Sequence, residues 1–382
     1  MTAAPEGWRA RLETFLAAHA ERPHLSGPAK LAWTKSWHAA LADAGLAAPN
    51  WPREAGGLEL GVADQVTYHR MMTEAGAPSH PTPISFIVAP TLIVHGTPAQ
   101  RERYLRPLLR ADELWCQGFS EPGAGSDLTS LTTRADREGD NYRINGQKVW
   151  TTGADRADWM FALVRTGPPG PGGAGITYLL IPMSAPGITV RPLRDLTGGT
   201  HFAEVFFDDV VVPAANRVGQ EGEGWKIART SLGHERTTAF LSTEYALRRQ
   251  LRKVTALAVE TGAIEDALVR QDLAKAEASL RVLAANASRA LTELLGGGDP
   301  GPLSSMNRLV RAEFEQQLYR LATRVEGPDA ALLGGRWVHG YLMTRASTIG
   351  AGTAEIQRNT IGEKVLGLPR EPEAQLSTQE YA

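Results

Sequence analysis

The apolar pattern of this chain changes period twice, and any fold must accommodate both changes. Up to about residue 113 the spacing is helical. Trp8, Leu12, Phe15 and Leu16 form one stripe, and the pattern returns over Trp33–Leu46 and Gln65–Ala75, with a turn-rich connection at 48–61. From Leu114 to about Pro213 the apolar segments are short, β-branched and aromatic, and separated by turn residues. Tyr142–Ile144 and Gln147–Thr152 flank Asn145-Gly146, which predicts a hairpin with a type I′ turn. Further strands are expected at Trp159–Val164, Ile176–Ile181, Ile188–Leu193 and Phe202–Phe207, with a Gly/Pro-rich surface loop at 166–175. After Gly224 helical spacing resumes over Trp225–Thr261, Asp266–Leu295, Pro302–Val325 and a segment ending near Ser347. The expected fold class is therefore α+β: a helical N-terminal domain (1–113), a small middle β-domain, sandwich or barrel (114–222), and a C-terminal helical bundle (223–382).

The chain has 382 residues, which suggests two or three domains. Forty basic against 42 acidic residues give a net charge of −2, with no basic block for nucleic acid or anionic lipid. Cys116 is the only cysteine, so no internal disulfide can form, and a reducing compartment is expected. The N-terminus lacks a continuous apolar h-region, and no stretch has the apolar length of a membrane span. The expectation is a cytoplasmic protein. The nine histidines are scattered and Cys116 has no partner ligand, so no metal centre is expected.

Three segments carry candidate chemistry. Gln117–Asp127, QGFSEPGAGSD, puts three glycines and a proline beside Ser120, Ser126 and Asp127. Such a turn can aim backbone N–H groups and hydroxyls at a phosphate without a Rossmann helix, although a Gly-rich turn alone is more often only a turn. Lys148–Thr152, KVWTT, places an aromatic ring and two hydroxyls at a strand end, where a core tryptophan is the blander reading. Ile349–Asn359, IGAGTAEIQRN, reads as a Gly-Thr turn capped into a helix.

Together these segments resemble the acyl-CoA dehydrogenase family. NWPREAGG, HGTPAQRERYLRPLL, GFSEPGAGSD, VWTTGADRADW, AEVFFDDVVVP and AGTAEIQRNTIGEKVLGLPR follow that family's order and spacing over nearly the whole chain. The resemblance implies a C-terminal four-helix bundle, with FAD held between it and the β-domain. It places Gln117, Phe119, Ser120, Gly125, Ser126, Trp150, Thr151 and Thr152 on the flavin. Thr353 and Glu355 would reach it from the bundle, and Ser126 and Arg236 would touch acyl-CoA. Electrons would leave to an electron-transfer flavoprotein or similar acceptor.

The implied reaction removes a proton from Cα and a hydride from Cβ of an acyl thioester. It needs a carboxylate base and donors to the thioester oxygen. Many family members carry the base at the position held here by Ala351, which keeps only its backbone N–H for the thioester oxygen. Isovaleryl-CoA and long-chain dehydrogenases carry it instead on the first bundle helix before an arginine, where this chain has His234-Glu235-Arg236. Glu235 is thus the expected base, against the alternative of a solvated glutamate paired with Arg236 or Arg229. His234 is the weaker candidate.

The family's Arg-x-x-Phe-Gly and Gln-x-x-Gly-Gly stretches, which reach a neighbouring subunit's FAD, are missing at 258–272 and 324–328. Such loss resembles bacterial members acting on bulky or sterol-derived acyl chains, some of them hetero-oligomers. A homodimer or homotetramer leads, with a related partner chain as the alternative. Arg270, Arg281 and Arg324 are the nearest cations for the diphosphate. Two other functions stay open: a non-catalytic half-site subunit, and a flavin oxidase or monooxygenase on the same scaffold.

Overall fold

The computed structural model describes residues 7–82, 85–296, 301–332 and 335–369, without the side chains of 85–86, 231–242, 294 and 302. Five helices come first: α1 (Trp8–Ala18), α2 (Gly27–Asp43), α3 (Val62–Glu74), α4 (Ser85–His95) and α5 (Pro98–Leu109). The stripe of Trp8, Leu12, Phe15 and Leu16 is buried, packed in one core with Trp37, Leu41, Trp51 and Leu108. Thr97 and Gln100 close a reciprocal cap at the start of α5. The Gln100 amide also donates to the Ala215 and Arg217 carbonyls at 2.8 and 2.9 Å, which ties the helices to the middle of the chain.

Eight strands follow: β1 (Trp115–Gly118), β2 (Arg134–Glu138), β3 (Asn141–Thr152), β4 (Trp159–Gly170), β5 (Ala174–Pro182), β6 (Ile188–Leu193), β7 (Phe202–Pro213) and β8 (Arg217–Val218). They form one sheet in the order β6-β7-β3-β2-β4-β5-β8, with β1 parallel to β4. β4 is apolar on both faces because both are covered. Met160, Ala162 and Val164 join Tyr142, Leu179 and Val205 in a core within the sheet. Phe161 and Leu163 alternate to the other side and join the helical core with Trp115 and Tyr178.

The expected Asn145-Gly146 hairpin is not formed. β3 runs straight through both residues, and the turn lies earlier, with Glu138 opposite Asn141 across Gly139-Asp140. Asn145 is held by a neighbouring strand: its amide donates to the Asp209 carboxylate, and the Asp209 N–H donates back to its carbonyl, both at 2.9 Å. Gly146 serves a close approach, since a Cβ there would sit 2.7 Å from the Thr133 Cα. The Gly/Pro run is also more ordered than expected, with Thr166–Gly170 continuing β4 and Ala174 opening β5.

Among the described residues the rest is mainly helical: α6 (Gly224–Glu260), α7 (Ala267–Leu295), α8 (Gly301–Glu326), α9 (Arg336–Met343) and α10 (Ala354–Lys364). Leu251, Val254, Leu280, Phe314 and Leu318 make the bundle core. α6 joins the two halves of the molecule: Ile227 and Ala228 at its start belong to the first core and Val254 to the bundle core. No helix among the described residues is long and apolar enough to cross a membrane.

α6 begins hard against β5. A Cβ on Gly224 would lie 2.6 Å from the Thr177 carbonyl carbon and 2.7 Å from its Cα, backbone atoms that cannot rotate away. Gly224→Ala is expected to destabilise the protein by about 1–3 kcal/mol. Urea unfolding monitored by circular dichroism measures the loss, and an unchanged midpoint would show that α6 can lift off the sheet freely.

Candidate active site

A cavity of about 1140 Å³ opens where the helical domain, the sheet and the bundle meet. On the sheet side it is walled by Gln117, Phe119, Ser120, Gly125, Ser126 and Thr152. Ala351, Gly352 and Gln357 wall it from the C-terminal turn, and Thr243, Leu247 and Gln250 from α6. His38, His69 and His80 face it from the N-terminal helices.

The Gly-rich turn is built to leave its backbone open. Glu121 and Ala124 exchange backbone hydrogen bonds of 3.0 and 3.1 Å, closing a tight loop over Pro122-Gly123. Among the described residues, the N–H groups of Gly123, Gly125 and Ser126 donate to nothing. A Cβ on either glycine would meet nothing within 4 Å, so the turn faces open space. Unpaired amides in a turn of this kind suit an anionic group.

Two buried charges that the sequence reading left without a role join this turn to β3. Lys148 and Glu121 pair at 2.7 Å, with side chains 0% and 4% exposed. Lys148 also donates to the Phe119 carbonyl at 3.2 Å. Glu121 accepts from the Thr132 N–H and hydroxyl at 2.6 and 2.8 Å, and from the Thr133 N–H at 2.9 Å. Burial works against ionisation of Glu121, but the Lys148 charge and hydrogen bonds from Lys148, Thr133 and Thr132 outweigh it and bring its pKa down to about 2. For Lys148 burial is the stronger influence and lowers it to about 8, with Glu121 opposing. Both are charged at neutral pH. The signal was available in principle, because both residues lie inside the two quoted motifs.

Along β3 the side chains then alternate. Thr151 is buried, its hydroxyl without a partner, and Thr152 is exposed on the cavity. Trp150 is 63% exposed on a backbone with φ of 60°, next to a register shift between Lys148 and Thr151. A large apolar ring held in the open on a left-handed backbone is strained locally and needs a covering surface.

Ala351 has a φ of 52° and Gly352 one of 93°. Gln357, buried beneath them, donates to both carbonyls at 3.5 and 3.4 Å. Among the described residues the Ala351 N–H has no acceptor, so a free donor stands on the cavity wall. The cavity therefore assembles Gln117, Phe119, Ser120, Gly125, Ser126, Thr152 and Ala351, and does not include Trp150, Thr151, Thr353 or Glu355. The Thr353 hydroxyl caps α10 by accepting from the Ile356 N–H at 3.3 Å. His234, Glu235 and Arg236 lie on α6 in the stretch whose side chains are outside the described residues.

Helices, a small sheet and a helical bundle meeting at one cavity, beside an open anion-facing turn and an exposed ring, form the architecture of a flavin-dependent dehydrogenase. Family models for the acyl-CoA dehydrogenase N-terminal, middle and C-terminal domains match residues 5–112, 116–210 and 222–366. The chain is 41% identical over 344 residues to acyl-CoA dehydrogenase IpdE1 of Mycobacterium tuberculosis, covering 88% of each protein. It superposes on the ChsE4-ChsE5 complex from Mycobacterium tuberculosis with a TM-score of 0.79 and 31% identity, covering 97% of this chain and 100% of that one. For the Tcur3481-Tcur3483 steroid ACAD the TM-score is 0.81 at 28% identity, covering 97% and 100%. The chain belongs to the acyl-CoA dehydrogenase family, whose members are FAD-dependent oxidoreductases. The open turn amides, the uncovered Trp150 and the free Ala351 N–H all fit an FAD and a thioester between them.

Removing the Glu121 charge while Lys148 stays buried leaves an unpaired ammonium. Glu121→Gln is expected to lose about 3–5 kcal/mol of stability and most of its flavin. The pH dependence has a fixed sign. Glu121 is depressed in the folded state, so its contribution is complete above pH 4.5, its ordinary value, and fades as pH falls towards 2. Urea titrations between pH 3 and pH 7 measure both effects, and equal stability of variant and parent at pH 7 would refute the role of the pair.

Proposed function

We propose that this chain desaturates an acyl-CoA between Cα and Cβ, with Glu235 as the base that takes the Cα proton. Bound FAD supplies the acceptor for the Cβ hydride, and an electron-transfer flavoprotein or a similar acceptor reoxidises it. The observation that carries the reading is the Ala351 N–H, without an acceptor among the described residues, in a residue of the cavity wall, a donor of the kind that developing thioester-oxygen charge needs. Position 351 itself has no side chain able to take a proton, so the base must come from elsewhere. Helical spacing supports Glu235: Ala246, three turns further along α6, lines the cavity. Ser126 and Arg236 would hold the CoA side, and Gln117, Phe119, Ser120, Gly125, Ser126, Trp150, Thr151 and Thr152 the flavin, joined from the bundle by Thr353 and Glu355.

The FAD diphosphate is completed by a neighbouring subunit in this reading. The three cations nearest by sequence already have partners. Arg270 donates to the Ile264 and Glu265 carbonyls at 3.0 and 2.7 Å. Arg281 pairs with Glu277 at 3.1 Å, and Arg324 with Asp266 and Asp272 at 3.0 and 3.2 Å. Solved relatives include the two-chain ChsE4-ChsE5 complex and a two-chain steroid dehydrogenase. We extend both features to this chain: a related partner subunit and a bulky acyl group.

Glu235→Gln keeps size and polarity but removes basicity. Flavin should remain bound while anaerobic bleaching by acyl-CoA slows by about 10²-fold or more. Unchanged bleaching would sink the assignment.

Expressed alone, the chain should hold less than one FAD per polypeptide, rising to full occupancy with a related dehydrogenase chain. Full occupancy in a homogeneous preparation would mean that the chain completes its own sites.

A further inference from the structure

Three imidazoles face the cavity from the N-terminal helices, and they differ in what their nitrogens do. His80 is fully engaged. Its Nε2 lies 3.2 Å from the Leu108 carbonyl, and its Nδ1 accepts from the Thr82 N–H at 3.3 Å. His38 stands edge-on to His80 with ring centroids 4.9 Å apart, and its Nε2 is buried with no partner among the described residues. His69, on α3, is half-buried and reaches the cavity. Its ring rests edge-to-face on Tyr68 at 5.6 Å, and neither ring nitrogen has a hydrogen-bond partner among the described residues.

The polar groups around His69 are committed elsewhere. The Tyr68 hydroxyl donates to the Leu46 carbonyl at 2.8 Å, and the Thr73 hydroxyl to the His69 carbonyl at 2.8 Å. Apolar side chains, among them Leu41, Trp51, Met72 and Ile87, line the same cavity. An imidazole without partners on such a wall is a directional feature that an unsubstituted hydrocarbon chain cannot use.

We propose that His69 is a specificity-determining residue of this acyl-CoA dehydrogenase, the hydrogen-bonding partner of an uncharged oxygen, hydroxyl or ketone, on the acyl group. The inference rests on the acyl-CoA reading above. Burial pushes His69 down to about 4 with nothing offsetting it, and His38 to about 4 and His80 to about 3. All three rings are neutral at pH 7, so none of them presents a positive charge to a carboxylate. A neutral imidazole donates from one nitrogen and accepts at the other, which matches a ketone or a hydroxyl equally.

The test uses the flavin-loaded enzyme with whatever partner chain it needs. The probes are hexanoyl- to dodecanoyl-CoA, each paired with its terminal-hydroxyl and its penultimate-ketone counterpart. The readout is the ratio of kcat/KM between the oxygenated and the plain member of each pair. For the parent enzyme that ratio should exceed one at some chain length by about tenfold to a hundredfold. His69→Leu should bring it to one or below, chiefly through KM, and His69→Gln, which keeps a donor and an acceptor, should restore part of it. Flavin content and melting temperature establish that each variant is folded, and the Gln variant carries the test if the Leu variant is not. A parent ratio of one at every length, or equal losses on both members of each pair in His69→Leu, would overturn the proposal. Failure of every probe to bleach the parent flavin is a separate result: it refutes desaturation of straight-chain acyl-CoAs, and this inference for them.

Discussion

The site depends on one buried ion pair. Lys148 and Glu121 come from opposite ends of the polypeptide stretch that builds the sheet side of the cavity, and both are buried where they meet. Taking two charges out of water is costly, and such a pair is tolerated only when its remaining hydrogen-bonding capacity is filled. Here it is filled by the Phe119 carbonyl and by the Thr132 and Thr133 groups. The geometric result is that the Gly-rich turn and the strand leading to Trp150 cannot shift independently. The backbone bond from the Val149 N–H to the Ser120 carbonyl, 2.9 Å, runs alongside the pair and reinforces it.

Two of the cavity-side segments hold strained backbone. Trp150 and Ala351 both hold left-handed backbones without being glycine. Each belongs to a segment that the reading above places next to the reacting groups. Trp150 is exposed beside the bulge, and Ala351 lines the cavity with its N–H unpaired among the described residues. Such conformations persist only when surrounding contacts over-determine them. For Ala351 those contacts are Gln357 below, and Arg308, which donates to the Gly350 carbonyl before it. The chemistry expected at position 351 is therefore a backbone property. An alanine can carry such a property, whereas a carboxylate base would have to come from another position.

The cavity combines this rigid, polar sheet side with a helical side of different character. β4 carries apolar residues on both faces, so one strand serves the core of the sheet and the core of the helical domain. α6 runs from the first core into the bundle core, and α3 and α4 pack against it. Imidazoles from the N-terminal helices, a free amide from the C-terminal turn and hydroxyls from the sheet thus share one space, though they are far apart in sequence.

The helical segments were legible because an amphipathic stripe repeats every three or four residues, whatever the helix finally packs against. The stripe of Trp8, Leu12, Phe15 and Leu16 and the long α6, α7 and α8 are examples. The Gly-rich turn was legible because a turn that leaves its amides open needs glycine at particular places. Asn145-Gly146 misled for a tertiary reason. Its local turn preference lost to the cross-strand pair with Asp209 and to the close approach of Thr133, which only a strand can satisfy. The pairing of Lys148 with Glu121, the engagement of Arg270, Arg281 and Arg324 by their own neighbours, and the lone position of His69 among three imidazoles were likewise invisible. By itself the sequence determined the order of elements and the family, since both follow from local spacing and from the order of the motifs. Which charges were buried together, which were neutralised and which polar group was left facing the cavity belonged to the tertiary structure, because burial and pairing depend on residues brought together from distant parts of the chain.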